Sequence, residues 1–113
     1  MKAWTILTLC VVLGHSTSSL ADATETGKVN KIKINSNQTI SIYLDGANDT
    51  TDCSGGKQWI INTATDQLAN EKYSAVLSAA NARSTITLVH SSSAGCGAWS
   101  SNQVYDLTVS YSQ

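Results

Sequence analysis

The chain has 113 residues, seven lysines and arginines against eight aspartates and glutamates, a formal charge of −1, and neither proline nor phenylalanine. A net-acidic chain lacks the basic footprint of a nucleic-acid binder, so no nucleic-acid partner is expected. Its length allows one domain with a small core, and its wealth of Ser, Thr and Asn suits short strands joined by polar turns.

The N-terminus has the parts of an export signal: Lys2 as the positive n-region, an apolar run over residues 6–14, and a small-x-small cleavage site at Ser19-Leu20-Ala21. This predicts a signal peptide over residues 1–21 and a single domain over residues 22–113. Cleavage after Ala21-Asp22-Ala23 would instead start the domain at Thr24. The expected location is the periplasm or the cell exterior. The apolar run is too short to span a bilayer, and no later segment resembles a membrane helix, so membrane insertion is not expected. Cys10 leaves with the signal. Cys53 and Cys96 remain, and in an oxidising compartment their simplest reading is a disulfide. Such a bridge closes a loop of about 44 residues and adds about 4 kcal/mol in the chain-entropy model.

Residues 22–27 read as a loose N-terminal arm. Ile32 and Ile34 alternate with Lys31 and Lys33, which predicts a half-buried strand over residues 28–34. After an Asn35-Ser36-Asn37 turn, Ile40, Ile42 and Leu44 alternate with Ser41 and Tyr43, completing a hairpin. Residues 45–56 are rich in Gly, Asn and Asp and predict a surface loop carrying Cys53. Trp59-Ile60-Ile61 is a short third strand. The period then changes: Ala69, Tyr73, Val76, Leu77 and Ala80 form one helical stripe, predicting a helix over residues 66–82 capped by Thr65 or Asp66. A strand follows around Ile86 and Leu88. The last strand, over residues 104–111, should turn Tyr105, Leu107, Val109 and Tyr111 inward, and the loop over residues 91–102 carries Cys96.

The order β-β-β-α-β-β, with the helix between strands 3 and 4, predicts a mainly β fold: a small OB-fold-like five-stranded barrel with one disulfide. An open α+β sheet with a covering helix is the alternative. Closure would remove exposed sheet edges.

The run Cys53, Trp59-Ile60-Ile61, Tyr73-Ser74-Ala75-Val76-Leu77-Ser78-Ala79-Ala80, Thr85-Ile86-Thr87-Leu88 and Cys96 resembles small secreted bacterial OB-fold-like proteins. More distantly it is similar to the B subunits of AB5 toxins of the subtilase-cytotoxin and pertussis-like type. The resemblance covers about residues 50–110. It implies a homo-oligomer, a pentameric ring with helices around a central pore, whose outer face binds sialylated or other glycans. The chain departs from those subunits in length, in its loops and in its single cysteine pair, and no sugar-binding motif matches residue by residue.

Chemistry-bearing residues are sparse. His90, the one histidine beyond the signal, ends a strand beside Ser91-Ser92-Ser93. Asp45, Asp52 or Asp106 could complete a Ser-His-Asp set, but no nucleophile elbow exists, so an enzyme is not expected. Cys53, Cys96 and His90 lack C-x-x-C spacing, and no metal is expected there. The acidic run from Asp45 to Asp52 lacks the glycine and glutamate of an EF-hand loop. Gly55-Gly56 and Gly95-Cys96-Gly97 do not make a phosphate loop, so no cofactor is expected.

Among the aromatics, Trp59, Tyr73, Tyr105 and Tyr111 are expected in the core. Tyr43 falls on the polar parity of its strand, and Trp99 lies among Ser and Asn near the bridge. Trp99 is either a stacking platform, with Ser100, Ser101, Asn102 and Gln103 as hydrogen-bonding partners, or a lid folded onto the barrel end. The expected function is a secreted, non-catalytic module that recognises a cell-surface glycan. The alternative is a periplasmic or envelope protein-interaction domain.

Overall fold

A computed structural model describes residues 23–46, 53–54 and 57–111. The signal expected over residues 1–21, most of the acidic loop with Asp52, and Gly55-Gly56 lie outside the described residues. Among the described residues the elements are β1 (Ala23–Asn35), β2 (Thr39–Asp45), β3 (Gln58–Asn62), α1 (Ala69–Ala82), β4 (Thr85–His90), β5 (Asn102–Gln103) and β6 (Asp106–Ser110). Two single 3-10 turns, Ser92–Ala94 and Ala98–Ser100, lie between β4 and β5. The fold is mainly β with its helix between the third and fourth strands. The Cys53–Cys96 disulfide is formed, with the two Cα atoms 5.8 Å apart.

The strands hydrogen-bond in the order β5-β3-β2-β1-β4-β6, an open sheet that does not close into a barrel. The strand expected over residues 104–111 is present as the shorter β6, and an unexpected two-residue strand, β5, precedes it. β5 pairs parallel with β3 through Trp59↔Asn102 and Ile60↔Gln103, while β6 pairs antiparallel with β4. Between β5 and β6, the Val104 N–H donates to the Ile60 carbonyl at 3.0 Å and the Tyr105 N–H to the Val89 carbonyl at 2.8 Å. Successive residues thus bond to opposite ends of the sheet. The two end strands are joined by covalent chain rather than by a ladder.

The loose arm expected at residues 22–27 is, from Ala23 onward, the first half of β1. Ala23 to Gly27 pair with β4, and Lys28 to Asn35 pair with β2. Ala23 and Glu25 face the interior between outward Thr24 and Thr26, a buried carboxylate that hides the strand from a hydropathy pattern. At Gly27, where β1 passes from one partner to the other, an added Cβ would lie 2.8 Å from the Asp45 carbonyl oxygen. Only glycine permits this close approach.

Ile40, Ile42 and Leu44 of β2, Trp59 and Ile61 of β3, and Ile86 and Leu88 of β4 form the core with Val76 and Ala79 of α1. Their alternation along each strand is the period-2 signature of one buried face. The helix starts at Ala69, later than expected, because Asp66 accepts the Leu68 N–H at 2.9 Å and shapes a turn ahead of it. It ends at Arg83 in the left-handed region (φ 56°), with the Ser84 N–H reaching back to the Ala79 carbonyl at 2.9 Å. Its buried stripe runs through Ala69, Val76 and Ala79, with Tyr73 partly buried against the core. Leu77, expected on that stripe, is exposed.

Two further expectations are corrected. Tyr105 and Tyr111 are 56% and 63% exposed rather than core, since Tyr105 sits at the chain crossing and Tyr111 follows the end of β6; Val104 is buried instead. Ile34, near the hairpin tip, extends beyond the core and is 62% exposed.

Candidate functional site

The hairpin and β3 carry a second face, opposite the core. Register sets its membership: Lys31 lies opposite Tyr43, Lys33 opposite Ser41, Ser41 opposite Ile60, and Tyr43 opposite Gln58. Paired residues share a face, so the Lys31–Lys33–Asn35, Ser41–Tyr43 and Gln58–Ile60 rows form one outer surface. Ser41 and Ile60 are buried even there.

Across this surface Lys33, Asn35, Ser41, Tyr43 and Gln58 meet Trp99 around a shallow recess of about 300 Å³. A hydrogen-bonded row crosses its floor. Asn35 Nδ2 donates to Ser41 Oγ (2.9 Å), and Ser41 Oγ and the Tyr43 hydroxyl both donate to Gln58 Oε1 (3.1 and 3.3 Å). These bonds fix the polar side chains before any ligand arrives, which lowers the ordering cost of binding. The Lys31 ammonium stands 4.4 Å from the Tyr43 ring centroid, a cation–π contact that steadies the ring. Among the described residues, Lys33 is the one ionisable cation lining the recess, and no carboxylate lines it.

Trp99 reaches this surface from the bridge loop and is 55% exposed. It and Ser100 hold φ of 56° and 55°, the left-handed region that a bulky side chain avoids. The loop is locked by the Gly97 N–H donating to the Ser101 carbonyl (2.8 Å) and the Ser101 N–H to the Ala98 carbonyl (3.1 Å). Below it, the Gln103 amide donates to the Gly95 carbonyl (3.0 Å), and its Cγ lies 2.8 Å from where a Cβ on Gly97 would stand.

The structure therefore brings Tyr43 and Trp99 together and separates them from most of the other candidates. Ser100 is exposed beside Trp99. Ser101 and Asn102 are buried, and Gln103 is committed to the loop carbonyls and to His90. Lys33, Asn35, Ser41 and Gln58 were missed. Outward parity on three strands was the available signal, but it points at a site only once the register is known.

Near the bridge the interior holds polar side chains. His90 is fully buried; its Nδ1 accepts the Gln103 N–H at 3.0 Å and its Nε2 stands 3.6 Å from Cys53 Sγ. The Cys53, His90 and Cys96 ligand atoms lie within 4.8 Å of one another, although the cysteines are far apart in sequence. Both sulfurs are engaged in the bridge. Since Nδ1 accepts a backbone N–H, the ring hydrogen sits on Nε2 and points that nitrogen at sulfur as a donor. No helix among the described residues is long and apolar enough to cross a membrane.

The fold and recess together define a small disulfide-bonded β domain with an outward-facing aromatic-polar patch. Comparisons with protein-family models, with curated proteins and with solved structures find no match to this chain.

Proposed function

We propose that this domain is a non-catalytic carbohydrate-binding module whose ligand ring stacks on Trp99 within the Tyr43–Trp99 recess. The observation that carries the reading is Trp99 itself: a large indole, more than half exposed, held in a strained backbone conformation at the rim of a preorganised polar floor. Strain of about 1–3 kcal/mol persists only where the surroundings impose it, and it concentrates at ligand-binding positions. An indole face offers apolar and π contact to the C–H face of a pyranose, while Asn35, Gln58 and Lys33 offer hydrogen bonds to ring hydroxyls. The recess is at the small end of ligand-site sizes, suited to one or two sugar units.

Export, assembly as a ring and kinship with toxin B subunits are parts of the same proposal, resting on the signal-like N-terminus and the resemblance. Shallow single sites bind weakly, and repetition in a ring would raise avidity. The test is a glycan array probed with the oxidised chain multimerised on a carrier. Selective signal lost in Trp99→Ala supports the reading, and a blank array defeats it.

A protein-interaction role has its own observation. Leu68 and Tyr105, both exposed, border a recess of about 520 Å³ with Lys72 and Asp106. If the array is blank, this patch is the surface to test by partner capture, with Tyr105→Ser as the control.

A further inference from the structure

We propose that the Cys53–Cys96 disulfide is a thiol-exchange site: an external thiolate attacks Cys96, and Cys53 leaves as a thiolate received by His90. This inference is independent of the carbohydrate reading.

The two sulfurs are in unlike places. Cys53 is buried, 3% exposed, whereas Cys96 is exposed on the loop between the 3-10 turns. Gly95 and Gly97 flank Cys96, so neither neighbour carries a side chain, and a Cβ at Gly95 would meet nothing within 4 Å. An incoming thiolate therefore has an open approach to Cys96 and none to Cys53. Access and the choice of attacked sulfur are two of the determinants of exchange.

The third determinant is the leaving sulfur. His90, buried beside Cys53, accepts the Gln103 N–H at Nδ1 and so presents Nε2–H to Cys53 Sγ at 3.6 Å. The Gln103 side chain is bound in turn to the Gly95 carbonyl, holding the bridge loop and the imidazole in one arrangement. While the bridge is intact, Nε2–H faces a neutral sulfur, a weak acceptor. Once the bond breaks the same donor faces a thiolate, and a hydrogen bond to the charged form favours that form. The interaction strengthens along the reaction, which is what speeds departure.

The step balances. The incoming thiolate donates an electron pair to Cys96 Sγ and forms a mixed disulfide; the Cys96–Cys53 bond breaks, and its pair leaves on Cys53. No proton or outside oxidant is consumed. The partner's chemical class is a monothiol, either a small molecule or a cysteine on a protein surface.

The test incubates the oxidised chain with glutathione or with a cysteinyl peptide, quenches with acid and maps the adduct by peptide mass spectrometry. The adduct is expected on Cys96 with Cys53 as the free thiol. Reaction with glutathione alone restricts the site to small thiols, and reaction with both extends it to protein thiols. His90→Phe, which keeps a planar ring without the N–H, is expected to slow exchange about tenfold, given the strength of hydrogen bonds to charged groups and the dependence of rate on the leaving thiol. An adduct on Cys53, no adduct with either thiol, or an unchanged rate in a folded H90F overturns the proposal. Should H90F fail to fold, the adduct position in the natural chain decides.

Discussion

The indole N–H of Trp59 donates to Glu25 Oε1 over 2.8 Å, with both side chains sealed inside the domain. The contact ties the first half of β1 to β3, two strands that are not neighbours in the sheet. The second carboxylate oxygen has no hydrogen-bond partner among the described residues, and the Lys57 ammonium stands 3.9 Å from it. Removing the acceptor leaves a buried indole N–H unsatisfied. Glu25→Ala is therefore expected to cost roughly 2 kcal/mol in urea denaturation, and Glu25→Gln, which keeps an oxygen for the indole, less. Equal stability of all three chains would show that the bond contributes nothing.

Trp99 occupies backbone space that glycine occupies freely. Trp99→Gly is expected to keep or raise stability, by up to about 1 kcal/mol, while abolishing carbohydrate binding. Thermal melts and array binding read the two effects separately. A melting temperature lowered by more than about 5 °C would mark Trp99 as a packing residue instead.

Gly97 is required by proximity, because a Cβ there would stand 2.8 Å from Gln103 Cγ. Gly97→Ala must push aside the side chain that holds the bridge loop. The expected loss is about 1–2 kcal/mol, recovered in part by Gln103→Ala in the same chain. Additive losses in that double-mutant cycle would rule out the clash.

Cys53 and Cys96 are 43 positions apart. Replacing both with Ala should cost about 4 kcal/mol in the chain-entropy model, a large share of the stability of a small domain. The measurement is the urea midpoint of the double variant against the oxidised chain. A shift worth less than about 1 kcal/mol would mean that the reduced chain is already restrained.

Alternation and helical period carried most of the fold. Ile40, Ile42 and Leu44 are buried as their spacing requires, Trp59 is core, and the stripe through Ala69, Tyr73 and Val76 faces the sheet. Three features were not legible, each for a physical reason. Glu25 is a charge on a buried parity, satisfied by an indole that only the tertiary fold supplies. The helix ends at Ala82 as its period requires but starts at Ala69, because Asp66 spends its carboxylate on the Leu68 N–H in a turn that hydrophobic period does not reveal. Tyr105 sits where the chain leaves one strand partner for another, so the alternation that placed it inward runs across a break in the strand. The aromatic pair of the candidate site was legible as two exceptions to hydrophobic pattern, Tyr43 and Trp99. Its polar floor was not, because Lys33, Asn35 and Gln58 become neighbours only through register.

The placement of β5 and β6 at opposite ends of the sheet also dictates an order of events. Asn102 to Ser110 supply the pairing of both end strands, β5 onto β3 and β6 onto β4, so neither edge is covered until the C-terminal segment is in place. Contacts of such long sequence separation form late and slowly. Until those residues have left the ribosomal exit tunnel, the nascent chain has two open edges and an unfinished core.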